Sequence, residues 1–233
     1  MTDAVATPAT MCIAVLGGTG AEGSGLAFRW AAAGHRVRIG SRDGAKASAA
    51  AAGINQRSGR DTVSGGTNAE AVAGADIVVL TVPYAAQMQT AMSVKDKLAG
   101  KILVDVTAPL QPPKVSLVQL PAGGSCVVAL QAALGSEVKV VSAFQNVGAH
   151  HLPDASHTID CDVLVCGDDK SARETVIRLI EAAGLRGIHA GLLANSAASE
   201  ALTSVLIFIN RTYKVASAGI RITGLQDTIP HQG

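Results

Sequence analysis

Between Cys12 and Arg42 the chain reads CIAVLGGTGAEGSGLAFRWAAAGHRVRIGSR, and no other stretch restricts the fold as strongly. Cys12 to Leu16 is a short apolar run with the length and Ile/Val content of a buried strand. Gly17, Gly18, Gly20 and Gly23 then allow a tight turn with no side chains in the way. Ala21 to Ala33 carries strong helix formers, with Leu26, Trp30 and Ala33 spaced to share a face. Gly34 stops that helix, and His35 to Gly40 reads as a second strand. Strand, glycine turn, helix and strand together form the unit that seats a dinucleotide pyrophosphate over a helix N-terminus. The spacing Gly18-x-Gly20-x-x-Gly23 has a use at each glycine: the turn, the approach of the phosphate, and close helix–strand contact. Gly17, Gly18, Thr19, Gly20, Ala21 and Glu22 are the candidate contacts on this loop.

The end of the second strand chooses between the two nicotinamide dinucleotides. A carboxylate there accepts from the ribose hydroxyls of NAD, but this chain has Gly40-Ser41-Arg42. Ser41 can donate to a 2'-phosphate, and Arg42 can pair with it and lie over the adenine. Lys46, one turn further on, and Thr19 in the glycine loop add a positive charge and a hydroxyl. NADP is the expected cofactor.

The 233 residues allow one large domain, or one large and one small. Apolar residues make up 48%, yet there are only one Trp, two Tyr and three Phe. Such a diet suits an α/β layer protein with close helix-on-sheet contacts. The net charge of +1 gives no sign of a nucleic-acid or membrane partner. Met1 to Met11 lacks the basic and apolar regions of a targeting segment and reads as a loose tail. Leu202 to Asn210 is far too short to span a bilayer. Cys12, Cys126, Cys161 and Cys166 show no paired metal-ligand spacing and read as free thiols of a cytoplasmic protein.

Beyond Arg42, alternation continues. Asp43 to Arg57 is an alanine-rich helix, Thr62 to Gly66 a short extended piece, and Asn68 to Ala73 a small capped helix. Asp76 to Val82 is a β-branched buried strand closed by Pro83. Thr81, Val82 and Pro83 at its end are candidate cofactor-lining residues. Tyr84 could contact a ring or could merely pack. Ala85 to Leu98 reads as a helix and Lys101 to Val106 as a strand. Leu110 to Gly124 is a proline-containing excursion at the sheet's carboxyl edge, where loops usually line a site. Ser125 to Leu134 is a helix, and Glu137 to Ala143 a strand. Asp162 to Gly167, Ser171 to Ala183 and Leu185 to Ala190 form a further strand–helix–strand that can extend the sheet. Ser196 opens a long helix toward Ser217, with Ile220, Ile222 and Leu225 in a short closing strand or extended tail. The fold class is α/β: a Rossmann-type, doubly wound, mostly parallel sheet over 11–191, with a small, mainly helical C-terminal domain over 192–233.

Ligands of open α/β sheets bind outside the carboxyl ends of the strands. The segment Phe144-Gln145-Asn146-Val147-Gly148-Ala149-His150-His151 therefore belongs to the site. Adjacent histidines without a third spaced ligand do not make a metal site, and no metal is expected. Gln145, Asn146 and Tyr84 are the candidates beside the reacting atoms.

These residues resemble a known family, the NADPH-dependent reductases of coenzyme F420, an 8-hydroxy-5-deazaflavin. The resemblance rests on Leu16-Gly17-Gly18-Thr19-Gly20, Gly40-Ser41-Arg42, the run Ala75 to Pro83, the strand Lys139 to Ala143, Val165-Cys166-Gly167-Asp168-Asp169, and Asn195-Ser196 with Leu202-Thr203. It covers almost the whole chain in order. It implies direct hydride transfer between NADP(H) and the deazaflavin, in a homodimer helped by the C-terminal helix. It also implies that Thr19, Ser41, Arg42 and Lys46 hold the 2'-phosphate, and that Val82 and Pro83 wall the nicotinamide. Gln145, Asn146, Val147, Gly148 and Ala149, with Leu192 and Asn195 nearby, would wall the deazaflavin. Archaeal members commonly have His-Thr-Ile-Pro where this chain has Gln145-Asn146-Val147-Gly148. Gln145 still hydrogen-bonds to a heterocycle but does not change charge near neutral pH.

Transfer between two stacked rings needs little acid–base machinery, only donor and acceptor carbons held about 3–3.5 Å apart with water excluded. No acid–base relay stands at predictable positions in this chain. A carbonyl reductase would need a proton donor, for which His150, His151 or Tyr84 are available. The alternatives are thus an NADPH-dependent reductase of another acceptor (a flavin, a ferric chelate, or a small carbonyl or imine) and a non-catalytic NADPH-binding regulator.

Overall fold

The structure, a computed structural model, describes residues 10–225. The tail at 1–9 and the polar end at 226–233 lie outside the described residues. Within them, eight strands form one sheet. The elements run β1 (Cys12–Leu16), α1 (Ala21–Ala32), β2 (Arg36–Ser41), α2 (Gly44–Ser58), β3 (Val63–Thr67), α3 (Asn68–Ala73), β4 (Ile77–Leu80), α4 (Tyr84–Met92), β5 (Ile102–Asp105), α5 (Cys126–Leu134), β6 (Lys139–Ser142), β7 (Asp162–Gly167), α6 (Lys170–Ala182), β8 (Arg186–Gly191) and α7 (Ser196–Tyr213).

The strand order is β3-β2-β1-β4-β5-β6-β7-β8, so the winding reverses between β1 and β4. All pairings through β6 are parallel; β7 lies antiparallel to β6, and β8 parallel to β7. The unbroken apolar strands are explained by two cores, one on each face. Ile13 and Val15 of β1 join Leu26 and Trp30 of α1, Ile54 of α2 and Leu179 of α6. Ala14 and Leu16 point the other way, toward Val72 of α3, Ala91 of α4 and Leu130 of α5. Trp30, Leu26, Ile13 and Ile39 are wholly buried, each contributing about 1.5–3 kcal/mol by leaving water. The Trp30 indole also donates to the Leu179 carbonyl at 2.8 Å, tying α1 to α6.

Two of the helices on the β2–β3 side carry side-chain caps. The Asp43 carboxylate accepts from the Ala45 and Lys46 amides, and Thr67 with Glu70 forms a reciprocal capping box on α3.

Two helices end earlier than their apolar patterns suggest. The helix expected over Ala85–Leu98 starts at Tyr84 and stops at Met92, followed by a 3-10 turn at Lys95–Lys97 that lets Val94 and Leu98 reach the core. The helix expected to reach Ser217 ends at Tyr213. Lys214 takes a left-handed backbone (φ +55°), and the Asn210 side chain accepts from the Ala218 amide, turning the chain back. The tail beyond is extended rather than a strand: the Ile220 carbonyl accepts from the Asp162 amide, and the Ile222 amide donates to the Asp162 carboxylate at 2.6 Å.

Candidate active site

The glycine loop sits at the carboxyl edge, where the winding reverses. Gly17 has φ +81°, and a Cβ there would stand 2.7 Å from the Thr81 carbonyl oxygen. Gly18 is pressed on Ile39, and Gly23 on the Thr81 hydroxyl. These three glycines are demanded by the fold itself. Gly20 is different: its φ is −80°, and the nearest atom to an added Cβ is the Gly17 carbonyl oxygen at 3.4 Å. Nothing within the protein requires a glycine there, but a phosphate approaching the loop would. Gly20 is also the N-cap of α1 and supplies no side-chain cap, which leaves the first amides of the helix to an anion.

A cleft of about 320 Å³ opens over this loop, lined by Gly17, Thr19, Gly20, Ser41, Arg42, Asn68, Thr81, Val82 and Pro83 and by the outward face of α4. Thr19, Ser41 and Arg42, the expected 2'-phosphate set, meet here without an acidic side chain among the lining residues. Asn68, in the first turn of α3, brings a buried Oδ1 with no partner. The site fits a dinucleotide with a phosphorylated ribose.

A second cavity, about 560 Å³, adjoins the first and shares Gly20, Thr81, Val82 and Pro83 with it. Its walls are largely apolar: Val106, Ala108, Leu110, Pro112, Val115 and Val147. Glu22, Tyr84, Thr107, Gln145 and Thr203 supply polar points. That size and mixture suit a small organic molecule seated edge to edge with the dinucleotide.

A family model described as coenzyme F420-dependent NADP oxidoreductase matches residues 12–109. The F420-dependent NADP reductase of Methanothermobacter thermautotrophicus is 42% identical over 224 residues, 93% of this chain and 97% of that protein. This chain belongs to the coenzyme F420-dependent NADP oxidoreductases. The F420-dependent NADP reductase of Methanocaldococcus jannaschii is 41% identical over 93% of this chain and all of that protein. Among solved structures, a hypothetical protein of Sinorhizobium meliloti aligns with a TM-score of 0.66 at 26% identity, covering 81% of this chain and 88% of that one. The chain is an NADP-dependent oxidoreductase, and the family's two cofactors are NADP and F420.

Against that membership, the residues read from the sequence divide. Gln145 borders the second cavity: its Nε2 donates to the Asp105 carbonyl at 2.8 Å, and its buried Oε1 has no partner. The preceding Phe144 makes this possible with a left-handed backbone (φ +73°), and its buried ring stands edge-on to Trp30. Tyr84 lines the cavity from the start of α4 while packing on the core. Val147 also lines it.

Asn146 does not. Its side chain is spent on structure, donating to the Asp162 carbonyl at 2.6 Å and accepting from the Leu164 amide, which ties the β6 end to β7. Gly148 packs beneath Ser217, and Ala149 rests on the core. Leu192 and Asn195 lie at the end of β8, outside the cavity lining. Leu192 is exposed, and the Asn195 amide donates to the Ala190 carbonyl at 2.7 Å. The α7 residue that reaches the cavity is Thr203, eight residues on, about 12 Å along the helix. Lys46 stands outside the cleft, its ammonium 4.0 Å from Asp43. His150 and His151 belong to a surface turn where His151 stacks on His157. Arg29 anchors that turn by donating to the carbonyls of His151, Leu152, Asp154 and His157.

One buried acid behind the cavity lining, bonded to the lining residue Thr107, was not legible in the sequence. The wholly buried Asp105 carboxyl accepts from the Thr107 amide at 2.9 Å and from the Gln87 amide at 2.5 Å. Burial pushes it up to about 6, against those hydrogen bonds, which pull it down. Beside it, burial and the Asp105 charge push Glu22 up to about 8. Asn68, Thr107 and Thr203 were also missed, since single polar residues after strands or on a helix carry no distinguishing spacing.

Proposed function

We propose that this chain moves a hydride directly between NADP(H), held in the first cleft, and the deazaflavin ring of F420, held in the second cavity. The observation that supports this reading is the shared wall of Gly20, Thr81, Val82 and Pro83, which sets the two compartments side by side. When bound, the nicotinamide supplies or takes the hydride at C4 and the deazaflavin at C5. The chain's own work is binding and orientation. The first amides of α1 neutralise the pyrophosphate, and Arg42, Ser41 and Thr19 select the 2'-phosphate. Val82 and Pro83 wall the nicotinamide. Gln145 Oε1, Thr203 and Tyr84 offer hydrogen bonds to the edge of a heterocycle, and the apolar lining excludes water.

The helical segment from 192 on is proposed as a second unit that closes the acceptor side and pairs two chains. Val205, Phe208 and Tyr213 are exposed on α7 at 44%, 59% and 72%, a surface suited to a second copy. Among the described residues no helix is long and apolar enough to cross a membrane. All four cysteines are buried free thiols, in keeping with the reducing cytoplasm where NADPH is kept.

The test offers the purified protein NADPH with oxidised F420, riboflavin phosphate or a ferric chelate, each separately, and follows loss of reduced nicotinamide. Saturable oxidation with F420 alone is the expected result. Tight NADPH binding without F420 turnover would overturn the acceptor assignment and leave the NADP site standing.

A further inference from the structure

Glu22 is an acid on the seam between the glycine loop and the acceptor cavity. It lies in the first turn of α1, next to the amides a pyrophosphate needs, and it borders the acceptor cavity. Its carboxyl is shaped by enclosure and by Asp105, with no hydrogen bond from a described residue to offset them. The titratable groups that face it are Asp105 from the end of β5 and Tyr84 from the start of α4, with Glu200 of α7 behind Asp105. The rest of the cavity lining is neutral, and no Lys, Arg or His borders it. Arg29, two turns along α1, is committed to the carbonyls of the 151–157 turn.

The two redox forms of the cofactor share every phosphate and differ in the ring: oxidised nicotinamide is a cation, reduced nicotinamide is neutral. A carboxyl on the cavity side of the loop therefore acts equally on both forms when protonated and unequally when ionised. We propose that Glu22 makes the choice between oxidised and reduced nicotinamide pH-dependent, holding the two alike as the neutral acid and favouring NADP+ as the carboxylate. This rests on the reading of the cleft as an NADP(H) site. Since burial and Asp105 push Glu22 up to about 8, the change is centred near that pH. The sign is fixed: alkaline solution tightens NADP+ relative to NADPH, and NADP+ binding releases a proton. A tenfold change in the ratio of dissociation constants lowers the potential of the bound two-electron couple by about 30 mV, so the bound cofactor becomes a stronger reductant as pH rises.

The experiment titrates the full chain with NADPH by its fluorescence, and with NADP+ by competition, from about pH 6.5 to about pH 9.5. The ratio Kd(NADPH)/Kd(NADP+) cancels the phosphate ionisations that both forms share. It is expected to be flat below about pH 7 and to rise about tenfold across pH 8. In Glu22→Gln it stays flat, and the proton released on NADP+ binding, read by calorimetry in two buffers of different ionisation enthalpy, disappears. A flat ratio in the unaltered protein overturns the proposal, as does a step that survives in Glu22→Gln, which would belong to Asp105. Failure of both nucleotides to bind the unaltered protein would remove the NADP site itself, and the proposal with it.

Discussion

Gln145 reaches across two strand ends to donate its Nε2 to the Asp105 backbone carbonyl at 2.8 Å, which fixes the side chain in the wall of the acceptor cavity with its buried Oε1 unpartnered. The same carbonyl also accepts from the Ala143 amide at 3.2 Å, so it is not orphaned when Gln145 is shortened. Gln145→Ala is therefore expected to leave stability nearly unchanged. It should raise the KM for F420 up to about tenfold, the worth of one neutral hydrogen bond, with the Kd for NADPH unaffected. Steady-state kinetics beside a nucleotide titration checks this, and an unchanged KM would take Gln145 out of ring recognition.

Arg42 is exposed at the mouth of the first cleft beside Ser41 and Thr19. A charge-assisted contact to the 2'-phosphate is worth about 1.5–3 kcal/mol. Arg42→Ala is expected to weaken NADPH binding by about 10- to 100-fold and to leave NADH binding where it was. Lys46→Ala should do much less, because Lys46 lies outside the cleft lining. Equal losses for NADPH and NADH in Arg42→Ala would move the 2'-phosphate elsewhere.

How much of this was visible in the sequence follows from the range of each interaction. The glycine loop is local: turn, helix cap and strand lie within a dozen residues, so the spacing from Gly17 to Gly23 carried them. Ser41 and Arg42 follow a strand end and were equally plain. Glu22 and Asp105 meet across 83 positions, and no pattern of either one alone announces the meeting. Phe144 looked like an ordinary strand terminus; only its left-handed backbone turns Gln145 to the cavity. The misplacement of Asn195 has a different origin. DVLVCG reads the same in either direction across a sheet, so the antiparallel pairing of β7 with β6 was silent. That reversal sends the chain out of β8 heading away from the edge that carries the cleft, and α7 reaches the cavity only at Thr203.

Asn195→Ala tests that correction. The side chain donates to the Ala190 carbonyl across the turn at Gly191 and touches neither cavity. The expected result is unchanged kinetics toward both substrates and a stability loss of up to about 1 kcal/mol, the net worth of one exposed hydrogen bond. A selective rise in the KM for F420 would restore Asn195 to the acceptor wall.

Glu200 joins α7 to α5. Its carboxylate, 1% exposed, accepts from the Ser125 hydroxyl at 2.5 Å, the Cys126 amide at 2.9 Å and the Val127 amide at 3.3 Å. It occupies the N-terminus of α5, where orphan amides and the helix dipole both favour a negative charge. Glu200→Ala strands those donors in a dry interface and is expected to cost about 2–4 kcal/mol in urea unfolding. Thr203 rides one turn further on the same helix and donates to the Gln145 carbonyl at 2.8 Å. The KM for F420 should therefore rise in this variant while the Kd for NADPH holds. A loss below about 0.5 kcal/mol would mean that α7 is held by other contacts.

The raised carboxyl of Glu22 also has a stability signature, separate from ligand binding. Its value moves from the ordinary 4.5 to about 8 on folding, so between those pH values the folded chain holds a proton that the unfolded chain has released. Stability therefore falls as pH rises through that window, and the penalty is fully developed above about pH 8. Asp105, raised to about 6, adds a similar fall that is complete earlier. Glu22→Gln keeps the shape and removes the proton exchange. It is expected to be more stable than the unaltered protein by about 1–2 kcal/mol at pH 8, allowing for the screening that partial exposure brings. The gap should close only below about pH 4, under the ordinary value of 4.5, where Glu22 is protonated in both states. Urea unfolding at three pH values measures it. A gap that stays constant with pH would show that Glu22 ionises as freely in the folded chain as in the unfolded one.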